Sequence, residues 1–237
     1  MTQKVFIVIL QSETLKDKEV REENTKDNVR ELILKTALEL FTTRGIKDVK
    51  MDDIASVLSI SKRTIYELYN DKEQLLLEAL KLHNEIIHDE GKQIIRKASH
   101  TLEIILKLYD KYVDIISSIN KKFFADLKKY PDICKRKRHN EEQNDKKFVA
   151  WIEMGRKQGM FREDANLEIF SYILRKNLET IFTVNMDDQE NKLSKFTPDE
   201  LGRTLIIFYL RGISTPKGQE IIETYLKENI KNNSYES

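Results

Sequence analysis

Residues 51–69 read MDDIASVLSISKRTIYELY and carry the most informative pattern of the 237-residue chain. Ile54 and Leu58 are four positions apart and therefore lie on one face of a helix. Apolar residues with the same helical spacing follow after a short connection, which ends in Ser61, a residue type that caps helix N-termini well. Two short helices joined by a tight turn are typical of a helix-turn-helix motif, whose second helix enters the DNA major groove.

A plain helical hairpin is the alternative interpretation, because any amphipathic helical pair supplies part of this pattern. The flanking sequence favours the motif. Upstream, apolar residues recur at helical spacing from Val29 to Phe41, and Gly45 follows as a natural helix stop. Downstream, Asp71 and Lys72 open another apolar-periodic helix. The sequence thus predicts one helix before the pair and a longer helix after it.

On these residues, the segment 27–82 resembles the N-terminal domain of the TetR (tetracycline repressor) family of bacterial regulators. The matching positions are Ala37, Leu40, Phe41, Gly45, Asp53-Ile54-Ala55, Ile60-Ser61, Thr64-Ile65-Tyr66, Tyr69, Lys72-Glu73 and Leu75-Leu76. Three positions depart from the family pattern. Lys50 replaces the usual Thr and has no side-chain acceptor for a cap. Ser59 replaces a Gly, so it must accept a left-handed conformation or shift the turn. Arg63 replaces a small residue on the second helix of the pair.

The composition favours a helical protein and limits the classes of function that we expect of it. Only three Pro and seven Gly occur, and strand-like alternation is nearly absent. The formal net charge is +1, so DNA binding has to rest on a local patch instead of a broad basic field. A lone Cys134 fits a reducing cytosol. The four His lie outside metal-ligand spacing, and no catalytic constellation or phosphate-binding loop stands out. We therefore predict no metal, no cofactor and no enzymatic activity.

The N-terminal residues allow several interpretations. The run Val5–Leu10 is apolar but too short to span a bilayer, and no signal-peptide cleavage site follows it. A disordered arm, a start codon placed too early, a membrane anchor and an aggregation-prone strand all remain open. We predict an arm over 1–24, a helix-turn-helix domain over 25–72 with a linking helix to about 90, and a helical domain over 91–237.

Amphipathic helical patterns fill the C-terminal two-thirds of the chain. We predict helices over Thr101–Ser118, Lys121–Lys129, Ile133–Gln158, Leu167–Val184, Pro198–Gly212 and Lys217–Lys231. A polar loop is expected over Met186–Ser194. The segment Gly155–Arg162 resembles the helix end and turn that precede the dimer-forming helices in the family. Gly159 can end a helix there, and Phe161 can pack back against it.

The resemblance implies an all-α fold in which a three-helix DNA-binding domain is followed by a larger helical domain for ligand binding and dimerisation. It implies that Lys62, Arg63 and Thr64 read bases. The implied phosphate contacts are Ser61, Tyr66, Tyr69 and Lys72, with Lys50 as a further member of the basic patch. Tyr69 has a structural role as its alternative.

The same resemblance suggests a ligand pocket and a dimer interface. The candidate pocket residues are Tyr109, Tyr112, Phe123, Phe124, Phe148, Trp151, Met154 and Tyr172. Aromatic and Met side chains at helical spacing are usually core, and they become candidates here because the family binds ligands between these helices. The candidate interface residues are Phe170, Leu174, Leu178, Leu201, Leu205 and Phe208. Each of these is equally consistent with intrachain core.

These observations and the family resemblance predict a cytoplasmic homodimeric transcriptional regulator. Repression is favoured, but the sequence does not decide between a repressor and an activator. The regulator's partners would be a palindromic double-stranded operator, a second copy of the chain and a small-molecule effector, with no membrane involved. The rival hypothesis is a helical interaction or scaffold protein that uses the hairpin to contact other proteins.

Overall fold

The structure is a computed structural model that describes residues 18–183, 193 and 195–233, with the side chains of 27–181, 193 and 195–228. The apolar run Val5–Leu10 and nearly all of the predicted loop Met186–Ser194 lie outside these ranges. The described residues form ten α-helices: α1 (Lys18–Arg44), α2 (Met51–Val57), α3 (Lys62–Leu68), α4 (Lys72–Lys97), α5 (Thr101–Ser117), α6 (Lys121–Leu127), α7 (Pro131–Lys157), α8 (Leu167–Thr183), α9 (Pro198–Ile213) and α10 (Pro216–Asn233).

This architecture confirms the all-α prediction, with an N-terminal helix-turn-helix and a larger helical C-terminal part. The ends of the predicted C-terminal helices agree with the observed ones to within two residues. Apart from a single β-bridge between Phe161 and Ser214, the described ranges contain no strand. No helix among them is both long enough and apolar enough to cross a membrane.

Local caps set the geometry of the helix-turn-helix. The Ser61 Oγ accepts the backbone N–H of Thr64 at 3.1 Å, as predicted for an N-cap. Lys50 makes no side-chain cap, and the Asp53 carboxylate accepts the N–H of Lys50 at 2.7 Å instead. Ser59 takes a φ of +54°, so the turn keeps the left-handed geometry that the family usually gives to Gly.

A first hydrophobic core joins α1 to α4 and supports the motif from behind. Its fully buried members include Phe41, Ile54, Ile65 and Leu76. The same core also takes in three buried residues from farther along the chain, Phe123, Leu127 and Ile133. The helix α6 and the first turn of α7 therefore pack with the N-terminal head, which we define as α1–α3 and the first half of α4.

Polar contacts fix α6 on this head. The N–H of Asn120 donates to the carbonyl of Thr42 at 2.8 Å. The Asp126 carboxylate accepts the N–H of Lys47 at 2.7 Å, in the loop that leads into α2. A Cβ on Gly45 would lie 2.9 Å from the Cβ of Lys122, so the absence of a side chain permits this close approach.

A second core lies between α5, α7, α8, α9 and α10. The rings of Phe148 and Phe170 stack with centroids 6.0 Å apart, and Tyr209 meets Phe170 edge-on at 5.6 Å. At the border of this core, Arg203 of α9 forms ion pairs with Asp110 and Asp114 of α5. Burial raises the pKa of Asp110, whereas the hydrogen bond from Tyr225 of α10 opposes that effect. The network ties three helices together.

The turn after α7 follows the sequence expectation. Gly159 ends the helix region with a φ of +75°. Phe161 is fully buried and packs on Gly155, where an added Cβ would lie 2.5 Å from two ring carbons. A larger residue at 155 would therefore displace the Phe161 ring.

We predict that Gly155→Ala lowers the free energy of unfolding by about 1–3 kcal/mol, because overpacking forces the ring or the backbone to shift. Gly91→Ala is a matched control in another helix. Gly91 is also buried, but its added Cβ would meet Leu108 at an ordinary 3.5 Å. Urea denaturation followed by circular dichroism measures both. Equal stability of the two variants would contradict the close packing of Phe161 on Gly155.

Candidate nucleic-acid interface

The helix α3 turns one face to the core and the other to solvent. Ile65 is fully buried against α2, whereas Lys62, Arg63 and Tyr66 are exposed. The Arg63 side chain is 87% exposed. The inner face of this short helix packs on the core and its outer face carries long basic side chains. This is the form needed to enter a DNA groove.

The two cations of α3 are held in surface ion pairs. The Lys62 Nζ lies 2.9 Å from Asp52 Oδ2 on α2, and the Arg63 Nε lies 2.9 Å from Glu67 Oε1. The hydrogen bond to Asp52 raises the pKa of Lys62, so this side chain stays charged at neutral pH. Exposed ion pairs contribute little stability. Both cations can therefore exchange a carboxylate for a phosphate or a base edge at small cost.

The two hydroxyl residues at the start of α3, Ser61 and Thr64, also belong to the helix cap. The Ser61 Oγ and the Thr64 Oγ1 lie 2.9 Å apart within the cap. Ser61 is exposed and Thr64 is half-buried. Lys50 is exposed at the start of α2. Ser61 and Thr64 thus lie at the start of α3, whereas Lys50 lies at the start of α2.

Tyr69 departs from this group because it belongs to the first core. It is 1% exposed, and the Arg30 guanidinium lies 5.6 Å from its ring centroid. Burial raises the pKa of its hydroxyl. Of its two predicted roles, the structure favours the structural one, since this residue has almost no surface to offer to DNA.

The Lys72 ammonium, which the sequence predicted to contact a phosphate, already contacts neighbouring residues of the head. It donates to the carbonyl of Val49 and lies 5.7 Å from the ring centroid of Phe41. Burial lowers its pKa. An ammonium has three hydrogens and Val49 takes one, so a phosphate contact is compatible with this geometry. The contact remains a proposal.

The predicted pocket residues are divided between the two cores and the surface. Phe123 and Phe124 lie at the first core, where their rings meet edge-on at 5.7 Å. Tyr109, Phe148 and Trp151 pack with the second core. The other three, Tyr112, Met154 and Tyr172, have large exposed surfaces. The prediction combines aromatic and Met side chains at helical spacing with the family's placement of its ligand, and neither identifies the neighbour that covers a given side chain.

A cleft of about 710 Å³ lies elsewhere, between the start of α5 and α10. It is lined by His100, Glu103, Leu106, Lys107, Lys217, Glu220, Ile221, Thr224, Tyr225 and Glu228. None of these was predicted. Eight of the ten lining residues are polar or charged. The two groups of lining residues are more than 100 residues apart in the chain, so no local sequence pattern predicts the cleft.

The two helices predicted to form the interface, α8 and α9, both carry exposed apolar residues, but three of the six candidate interface residues face inward. Phe170, Leu174 and Leu178 are buried in the second core. Phe208 is 71% exposed, while Leu201 and Leu205 are half-buried. The exposed apolar residues of α8 are instead Ile169, Tyr172 and Ile173.

Comparison with known proteins is consistent with this geometry. Residues 33–79 match the family model of the bacterial regulatory proteins of the tetR family. The chain is 25% identical over 201 residues to the HTH-type transcriptional repressor KstR2 of Mycolicibacterium smegmatis, covering 81% of this chain and 93% of that protein.

Solved structures show the same fold over most of the chain. The ketosteroid transcriptional regulator KstR2 of Mycobacterium tuberculosis has a TM-score of 0.54 at 20% identity, with 79% of this chain and 95% of that chain covered. A TetR-family transcriptional regulator from Agrobacterium tumefaciens has a TM-score of 0.64 at 13% identity, with 80% and 100% covered. Residues 33–79 therefore form a DNA-binding domain of the tetR family of bacterial regulatory proteins, and the chain is a DNA-binding transcriptional regulator with the fold of these relatives.

Proposed function

We propose that this protein is a cytoplasmic repressor that binds a palindromic operator as a homodimer and leaves it when a small molecule binds the C-terminal helices. The observation that carries the proposal is the exposed face of α3, where Lys62, Arg63 and Tyr66 project from a helix anchored in the first core. The similarity to a relative named as a repressor supports the direction of regulation.

The first test is an electrophoretic mobility shift with DNA from upstream of the gene that encodes the chain. Binding that survives an excess of random duplex supports a specific operator. Absence of binding to either DNA would overturn the proposal and favour the rival hypothesis, a helical protein-interaction module.

Arg63 is the best candidate for reading a base. Its side chain is more exposed than that of Lys62, and its guanidinium can contact a guanine through two hydrogen bonds. Lys62 and Thr64 would contribute further base contacts. Ser61, Tyr66, Lys50 and Lys72 would hold phosphates, which position the helix without reading sequence.

We predict that Arg63→Ala weakens binding to the operator by about 1–3 kcal/mol and changes binding to random DNA little. Lys35→Ala is the control, because Lys35 also forms an i,i+4 ion pair in the head but lies on α1. Fluorescence anisotropy on both duplexes measures the difference. An equal loss on the two DNAs would make Arg63 a phosphate contact.

The dimer is proposed to form through the outward faces of α8 and α9. Ile169, Tyr172 and Ile173 are exposed on α8, and Phe208 is exposed on the adjacent α9. Gly212 lies one turn beyond Phe208, and a Cβ there would meet no atom within 4 Å. Neighbouring exposed apolar side chains of this size mark an interaction surface. A second copy would bury them and place two copies of α3 on one DNA.

We predict that Phe208→Glu converts the dimer into a folded monomer, because a charge buried in an interface without a partner costs about 3–5 kcal/mol. Its side chain is exposed within the subunit, so the fold should persist. Ile95→Glu, at an exposed apolar residue of α4, is the control. Light scattering gives the mass and circular dichroism the helix content. A Phe208→Glu protein that stays dimeric would place the interface elsewhere.

Leu174→Glu is a different experiment from Phe208→Glu. Leu174 is buried in the second core, so a charge there should unfold the C-terminal part of the subunit. The two variants separate loss of assembly from loss of fold.

Effector release is proposed to act through the contact between α4 and α5. The ion pair between Lys111 and Glu90 joins these helices, and α4 continues from the head. A ligand that favours one arrangement of α5 would shift the position of α4 and hence the separation of the two α3 helices. It can do so only through different affinities for the two arrangements.

A further inference from the structure

Positive charge is concentrated on α6 and the start of α7, not on the head. Residues 27–72 contain eight Lys or Arg and eight Asp or Glu, so this part of the chain has no net charge. Residues 121–139 contain eight Lys or Arg against two Asp. Because the whole chain carries a net charge of only +1, this segment is a strong local exception.

Five exposed cations, apart from Lys137, lie between the end of α6 and the second turn of α7, and we call them together the α6–α7 basic surface. It consists of Lys128, Lys129, Lys135, Arg136 and Arg138, all of which are exposed. Their helices carry buried apolar residues on the opposite side. The basic side chains therefore lie on the solvent side of helices whose other side is buried.

This surface is attached to the head. Phe123, Leu127 and Ile133 are buried in the same core as the helix-turn-helix. Lys122 forms an ion pair of 3.0 Å with Asp48, in the loop that leads into α2. The Asp126 carboxylate anchors the same loop. The basic surface and α3 thus belong to one packed unit.

Most cations in the run 135–138 at the start of α7 form no ion pair among the described residues. Lys137 pairs with Glu141, but Lys135, Arg136 and Arg138 have no ion-pair partner within 4 Å among the described residues. Like charges close together on one helix, such as Lys135 and Arg138, destabilise it. The run therefore persists against local helix preference. An external polyanion would offset that cost.

We propose that the α6–α7 basic surface binds the phosphate backbone of DNA beside the segment contacted by α3. This inference rests on the proposed operator binding and extends its footprint. Backbone phosphates recur along any duplex, so the surface would add affinity and association rate without reading sequence. It would supply the positive field that the head lacks.

The test compares two triple variants of the full chain with equal loss of charge. K135Q/R136Q/R138Q removes cations of the basic surface. K146Q/K147Q/K157Q removes three exposed cations from later turns of α7. The probes are two duplexes centred on the operator, one of about 20 base pairs covering two half-sites and one about 30 base pairs longer.

On the long duplex, we expect the slope of log K against log salt for K135Q/R136Q/R138Q to fall by about 2–3 per subunit, at about 0.9 for each lost phosphate contact. On the short duplex the fall should be below about one. The K146Q/K147Q/K157Q slopes should equal those of the unaltered protein. Circular dichroism spectra that coincide for all three proteins ensure that fold is not the variable.

Equal slopes for the two variants on the long duplex would overturn this inference while leaving operator binding intact. Unchanged DNA slopes with lost binding to phosphatidylglycerol vesicles would overturn it in favour of a membrane surface. Failure of the unaltered protein to bind either duplex would overturn the proposed function together with this extension of it.

Discussion

Burial of α6 in the core of the N-terminal head is the constraint on which the arrangement of this protein depends. Phe123 and Leu127 fill the first core, while Asp126 from the same helix holds the loop that leads into α2. Apolar burial supplies the bulk of the attraction, and the hydrogen bond to Lys47 gives it a defined register. The head is therefore completed by residues far from it in sequence. Any movement of α6 relative to α1 would disturb the loop before the helix-turn-helix.

This arrangement explains how a domain of no net charge can present a basic helix. The core holds α3 through Ile65, and Ser61 caps its start. The two cations on its outer face are neutralised by nearby carboxylates in water-exposed pairs. Such pairs are weak because water screens them, so the same side chains can serve DNA without a large loss of stability. Affinity then depends on fitted contacts and on charge placed elsewhere.

In the C-terminal part, the single helix α8 carries both core residues and exposed apolar residues. Leu174 on α8 faces the second core, whereas Tyr172 and Ile173 face solvent. Because a helix repeats every 3.6 residues, adjacent positions point in different directions. An apolar residue at either kind of position looks alike in the sequence. Only the packing of α8 against α7 and α9 separates core from exposed surface.

The sequence by itself determined the family resemblance and the helices of the C-terminal part to within two residues at each end. It did not determine the start of α1, which already covers Lys18 inside the predicted arm, or the end of α4 at Lys97. Caps such as Ser61, breakers such as Gly159 and apolar periodicity act within a few residues, so they can be identified without a fold. The tertiary structure decided which residues are buried and which contacts they make. It places Tyr69 and Phe123 in the first core, joins Lys72 to the carbonyl of Val49 and leaves Phe208 at the surface. These outcomes depend on contacts between segments distant in the chain. Local propensity contains no information about those contacts, because it fixes the direction of a side chain from its own helix but not what lies opposite.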